Sequence, residues 1–79
     1  MGPNNHLISP DNKGYAAYRW EHDMKGVRYQ SDADFVAAFA QSNAGDMTPN
    51  LNLDGTGPTR NEFDNTRIIG ERQLQKTLQ

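Results

Sequence analysis

Three stretches of the chain carry enough patterned apolar residues to form ordered elements, and connections rich in Gly, Pro and Asn separate them. In the first, Ala16, Trp20 and Met24 recur every four residues, with Lys13 and Ala17 beside them, which gives one apolar helical face. Ser9-Pro10 and Asp11-Asn12 supply short oxygen-bearing side chains that accept from the free amides of a first turn. Gly26 stands where a left-handed residue would close the helix. The pattern predicts a helix over about 11–25, with Glu21 and Lys25 as an i,i+4 ion pair on its surface.

The second stretch, Phe35-Val36-Ala37-Ala38-Phe39-Ala40, is a continuous apolar run between Ser31-Asp32 and Asn43-Ala44-Gly45. Periodicity alone does not separate a buried strand from a buried helical turn. Its length and the glycine-containing loop after it favour a strand over about 35–40, apolar on both faces as inside a layered α/β sheet. In the third stretch Thr59-Arg60-Asn61-Glu62 fits a capping box. Phe63, Ile69 or Gly70, Leu74 and Leu78 follow at helical spacing, and Ile68 beside Ile69 widens the apolar face. A helix over about 61–78 is predicted. The element order helix–strand–helix makes the expected fold class α/β, as a fragment of a larger layered α/β catalytic domain.

Size and composition agree with a partial domain over 1–79. The chain has 79 residues, of which 34% are hydrophobic, below the ~45–50% (glycine included) of an ordinary globular domain. With no cysteine there is neither a disulfide nor a thiolate metal site to compensate for a small core. The two histidines, His6 and His22, are too few for a histidine metal cluster of their own. A net charge of −2 with interspersed signs offers no basic stripe for nucleic acid. No apolar run reaches the ~18 residues of a membrane span, and no signal peptide is present.

Chemistry is expected in the connection over 41–58. A long ordered loop in a compact domain is commonly functional, and this one follows the predicted strand's C-terminal end, where open α/β sheets bind ligands. Within it, Gly45 permits a tight turn and Pro49 holds Thr48 extended, so a hydroxyl is presented on a stiff segment. Asp46 and Asn50 are close enough in sequence to hydrogen-bond amides of that turn. Asp, Thr and Asn are also ordinary turn formers, and most such loops do nothing more.

Gly45-Asp46-Met47-Thr48-Pro49-Asn50 resembles the Gly-Asp-X-Ser-Pro-Asn hexapeptide of the neutral ceramidases. Phe35 to Asn43 is similar to that family's lead into the hexapeptide, Ser9 to Tyr18 to its helix start, and Phe63 to Gly70 to the helix that follows. Four ordered blocks covering most of the chain make the resemblance specific. It implies hydrolysis of the amide bond of ceramide to sphingosine and a fatty acid by a zinc-dependent enzyme, with the hexapeptide's hydroxyl as nucleophile. It also implies secretion or membrane association for the longer protein. The serine position is held here by Thr48, which keeps the oxygen, adds a methyl group and restricts χ1.

The family's zinc ligands are histidines, a glutamate and a tyrosine spread over a long catalytic domain. One lies in a His-Gly-Thr-Ser-Met-like segment just before the stretch matched by Asn4 to Ile8, so the resemblance implies no metal ligand in these 79 residues. His6 reads as an ordinary polar neighbour and His22 as solvent-facing. Tyr15, Tyr18 and Trp20 suggest either a lipid-facing patch or, as favoured at helical spacing, packing against a sheet. Glu62, Asp64, Arg67, Glu71 and Arg72 read as a solvated face with minor ion pairing. The isolated chain is expected to be inactive, and unpaired strand edges would favour self-association. The alternative is a small non-catalytic binding or structural module, or a truncated remnant that associates with a partner chain.

Overall fold

The computed structural model describes residues 6–29, 31–32, 34–45, 47–50 and 52–79. Its elements are a helix α1, Asp11–Tyr18, continued by a π-helical segment, Arg19–Met24, and a helix α2, Glu62–Thr77. No strand forms among the described residues, so the expected helix–strand–helix α/β architecture is corrected to an all-helical one. The error lies in Phe35 to Ala40. A strand is defined by backbone bonds to a neighbouring strand, and this run has none here; the Ala37 amide donates to Glu21 Oε2 at 2.9 Å. Exposure still alternates along it, with Phe35, Ala37 and Phe39 half-buried and Val36, Ala38 and Ala40 exposed. The buried side packs on Trp20, whose ring lies 5.5 Å from Phe35 and 6.1 Å from Phe39.

The start of α1 follows the predicted chemistry. Ser9 Oγ accepts from the Asp11 amide at 3.1 Å, and Asp11 Oδ1 accepts from the Asn12 amide at 2.7 Å. The expected terminator also holds, because Gly26 has φ +70 and its amide bonds back to the His22 carbonyl at 3.1 Å. The predicted α-helix gives way to π geometry after Tyr18, and this has consequences. A π turn bonds i to i+5 and rotates later side chains relative to an α-helical face. Ala16 therefore remains buried while Met24, two steps along the expected stripe, is 53% exposed. Glu21 and Lys25 turn to the strap that follows: Glu21 holds the Ala37 amide and the Lys25 ammonium lies 5.2 Å from the Phe35 ring centre.

Helix α2 begins two residues later than a capping box at Thr59 requires. Asn61 is the N-cap, and its side-chain oxygen accepts from the Asp64 amide at 3.1 Å. Asparagine is among the best N-caps, and the Thr59 hydroxyl is engaged by Asn65 at 2.8 Å. Phe63, placed on the apolar face by spacing, is 87% exposed, and the buried positions of α2 are Gly70 and Leu74.

The two helices cross at Gly70. A methyl group there would stand 2.7 Å from the Asn12 carbonyl oxygen and 2.9 Å from the Tyr15 ring, so glycine is what permits the close approach. The expected sheet beneath the aromatic residues is thus replaced by separate partners. Tyr15 packs on α2, Trp20 on the strap, and Tyr18 stacks on His22 at 5.0 Å.

Polar contacts tie the same helix pair. Arg19 pairs with Asp23 on its own helix and with Glu71 on α2, while Gln73 Nε2 donates to Asn12 Oδ1 at 2.7 Å. Glu71 is therefore an inter-helix partner as well as part of the mixed-charge surface, where Arg67 lies 3.9 Å from Asp64 and from Glu71. A hydrogen bond from His22, with the charge of Arg19 behind it, holds the Asp23 carboxyl below its ordinary range. The Asp54 carboxyl is held low in the same sense by the Thr56 hydroxyl and amide. A depressed folded pKa contributes stability above the unfolded value, ~3.9 for aspartate, which is lost as pH falls through the folded value. The urea midpoint of the chain is accordingly expected to drop between pH 5 and pH 3, and Asp23→Asn to flatten that drop. Equal midpoints at both pH values in the unsubstituted chain would contradict this assignment.

Candidate active site

Thr48 is one of the residues that line a cavity of about 820 Å³. Three parts of the chain build it: the N-terminus of α1 with Asp11 and Asn12, the segment carrying Thr48 and Asn50, and the connection that leads into α2. The start of α1 is fastened to α2 where Thr66 Oγ1 donates to Asp11 Oδ1 at 3.2 Å.

Turn chemistry explains why 52–59 holds its shape. The Gly55 amide donates to the Asn52 carbonyl at 2.8 Å, and Gly55 takes φ +79, a conformation open to glycine. Asn52 Nδ2 donates to the Gly57 carbonyl at 2.6 Å and to Thr56 Oγ1 at 3.1 Å. Asp54 Oδ1 accepts from both the amide and the hydroxyl of Thr56. At the far end, the Asn65 amide group of α2 grips Thr59: Oδ1 accepts from the Thr59 amide at 2.7 Å, and Nδ2 donates to its carbonyl at 3.1 Å. The Asp54 carboxylate is thus committed to its own turn and kept ionised at neutral pH, which unsuits it as a general acid.

Thr48 itself is exposed, and its Oγ1 accepts from the Asn50 amide at 3.2 Å. The turn around Pro49 therefore fixes the hydroxyl oxygen through a backbone donor and leaves its proton directed elsewhere. A donor at Oγ1 favours negative charge there, whereas a free hydroxyl becomes a competent nucleophile only when a base or metal takes its proton. Asp46, the hexapeptide's acid, lies outside the described residues.

The metal-binding capacity of the chain is set by its donors. His6 is exposed near the start, and His22 sits on the π-helical segment, bonded through Nδ1 to Asp23 at 2.7 Å. Among the described residues no three His, Asp or Glu side chains converge to hold a metal ion. The cavity lining offers hydroxyls, neutral amides and scattered carboxylates, and no imidazole. Zinc favours His and Cys with carboxylate support in a tetrahedral set, so the described lining residues do not fit a resident zinc. No helix among the described residues is long and apolar enough to cross a membrane.

Several wall residues are not singled out as site residues by the sequence. Asn12 reads there as helix-start chemistry, and Asn65 and Thr66 as part of the helix that follows the hexapeptide.

The comparisons with known proteins bear on the same residues. A family profile described as neutral/alkaline non-lysosomal ceramidase, N-terminal, matches residues 1–79. The neutral ceramidase of Pseudomonas aeruginosa is 62% identical over 76 residues, which cover 95% of this chain and 11% of that protein. The neutral ceramidase of Mycobacterium tuberculosis is 51% identical over 78 residues, covering 95% and 12%. Among solved structures, one described as ceramidase complexed with C2 superposes with a TM-score of 0.76 at 62% identity, over 99% of this chain and 12% of that one. A crystal structure of the neutral ceramidase from Pseudomonas aeruginosa superposes with a TM-score of 0.71 over the same shares. The chain thus spans roughly an eighth of the relatives it matches. With the profile matched from end to end, the chain belongs to the neutral/alkaline non-lysosomal ceramidase family.

Proposed function

We propose that this chain is the nucleophile-bearing segment of a ceramidase, and that Thr48 attacks the amide carbonyl carbon of ceramide. The observation that carries the reading is that Thr48 lines a polar cavity of about 820 Å³, on a turn whose Asn50 amide donates to its hydroxyl oxygen. The lining is dominated by Asn, Thr, Asp and Gly, which suits the amide and hydroxyl end of a ceramide better than its hydrocarbon chains. Attack forms an acyl ester on Thr48 and releases sphingosine, whose nitrogen takes up the proton. Water then cleaves the ester and frees the fatty acid. Among the described residues no base is in contact with Thr48 Oγ1 and no set of side chains forms a zinc site. Both belong, in this reading, to the remainder of a longer protein, for which the family resemblance also suggests secretion or membrane association.

The test is a graft. Residues 1–79 replace the matching stretch of the Pseudomonas aeruginosa neutral ceramidase, and release of fatty acid from a fluorogenic ceramide is followed with the graft and with the free chain. The graft is expected to hydrolyse ceramide and the free chain to release nothing. A folded graft with no activity, or an active free chain, would overturn the reading.

A further inference from the structure

Gly57 is buried in a connection whose neighbours 52–56 are all exposed where described. Its φ is outside the left-handed region that only Gly26 and Gly55 occupy among the described glycines, so backbone conformation does not require glycine there. Space does. A methyl group on Gly57 would stand 2.8 Å from Asn65 Nδ2, 3.2 Å from Asn65 Cγ and 3.2 Å from Asn50 Oδ1. Gly57 is thus wedged between a side chain of α2 and the side chain of Asn50, and its carbonyl is tied at 2.6 Å by Asn52. Asn50 is also the residue whose amide holds Thr48 Oγ1 at 3.2 Å. On its other flank, Asn65 cannot yield freely, because its amide group makes three hydrogen bonds to Thr59.

We infer that Gly57 is a positioning residue for the Thr48 hydroxyl, acting by close packing of its bare α-carbon between Asn65 of α2 and the Asn50 side chain. The path runs from α2 through Asn65 to Gly57, from Gly57 to the Asn50 side chain, and from the Asn50 backbone amide to Thr48 Oγ1. A methyl group on Gly57 crowds the Asn50 side chain, and a shift passed to the Asn50 backbone moves the donor that orients Oγ1. The inference rests on the reading of Thr48 as the reacting group, but the contact itself is measurable without turnover.

The experiment is a set of NMR spectra of the 79-residue chain in which the Thr48 methyl and the Asn50 amide are followed. Gly57→Ala is compared with Gly45→Ala, a control three residues from Thr48 where a methyl group meets nothing within 4 Å. Asn65→Ala approaches the same wedge from the helix, seventeen positions away in sequence from Thr48, and decides the matter if Gly57→Ala fails to fold. Gly57→Ala and Asn65→Ala are expected to move the Thr48 methyl and Asn50 amide resonances. Gly45→Ala is expected to leave both nearer their original positions. A purely structural role would lower thermal stability and leave the Thr48 resonance unmoved, and that result overturns the inference. So does a Thr48 methyl at its random-coil position in the unsubstituted chain. A failed ceramide assay with the graft, by contrast, would remove the proposed reaction and leave this contact standing.

Discussion

Thr48→Ala in the grafted enzyme is expected to lower kcat/KM for ceramide by about 10⁴-fold or more, the scale on which loss of a nucleophile that acts with its base reduces turnover. The substitution removes the hydroxyl and the γ-methyl together and leaves the backbone of the turn intact. Binding is expected to survive, because the wall over 52–59 is held by Asn52, Asp54 and Asn65 without help from Thr48. The loss should therefore appear in kcat, with KM changed little. Thr48→Ser is expected to act in the opposite direction, raising kcat, since it keeps the oxygen and the Asn50 donor while removing a methyl group that stiffens χ1. A Thr48→Ala graft that retained full turnover would show that the hydroxyl is a turn former and nothing else.

Leu74→Ala is expected to remove the cooperative thermal transition of the 79-residue chain. The buried apolar side chains among the described residues are Ala16 and Leu74, and Leu74 is the larger. A buried leucine truncated to alanine loses about 2–5 kcal/mol, whereas a core in a chain of this size rarely supplies more than about 3–5 kcal/mol. The whole margin is therefore at stake in one side chain. Phe63→Ala serves as the comparison, since Phe63 is equally apolar, lies on the same helix and is 87% exposed. Its loss is expected to change stability by about 0.5 kcal/mol or less. Circular dichroism on heating separates the two outcomes, and similar melting curves for both variants would contradict the buried position of Leu74 as the main source of stability.

The local signals of helix formation were readable from the residues. The Ser9 and Asp11 side chains accept from the amides of Asp11 and Asn12 at the start of α1, Gly26 closes the π-helical segment in the left-handed region, and α2 lies within two residues of its expected bounds. What failed was every inference that needed a distant partner. Phe35 to Ala40 has the alternating exposure of a strand, but a strand is a relation between two segments, and here the run lies on Trp20 with no backbone neighbour. Thr59 has capping chemistry, yet Asn65, about one turn along α2, claims its hydroxyl and leaves the cap to Asn61. Met24 and Phe63 fit apolar stripes by spacing and are exposed, the first because the helix widens into π geometry.

The candidate site divides in the same way. Thr48 stands out in the sequence because Pro49 and the surrounding hexapeptide mark it, and the cavity contains it. The wall that faces it is assembled from Asp11, Asn12, Asn52, Asn65 and Thr66, five residues from three parts of the chain that meet only when α1 and α2 cross at Gly70. Gly57 is the extreme case. In a loop already rich in glycine it looks like one more flexible position, and only the distances to Asn65 and Asn50 show that it fills a gap with no room for a methyl group.

The most direct test of the central claim is to look for the acyl group on Thr48. The graft would be mixed with a short-chain ceramide, quenched in acid within the first turnover and digested for mass spectrometry. We expect the mass of the fatty acyl group on the peptide containing Thr48, and its disappearance in Thr48→Ala. An active graft whose acyl group appears on another residue would contradict it.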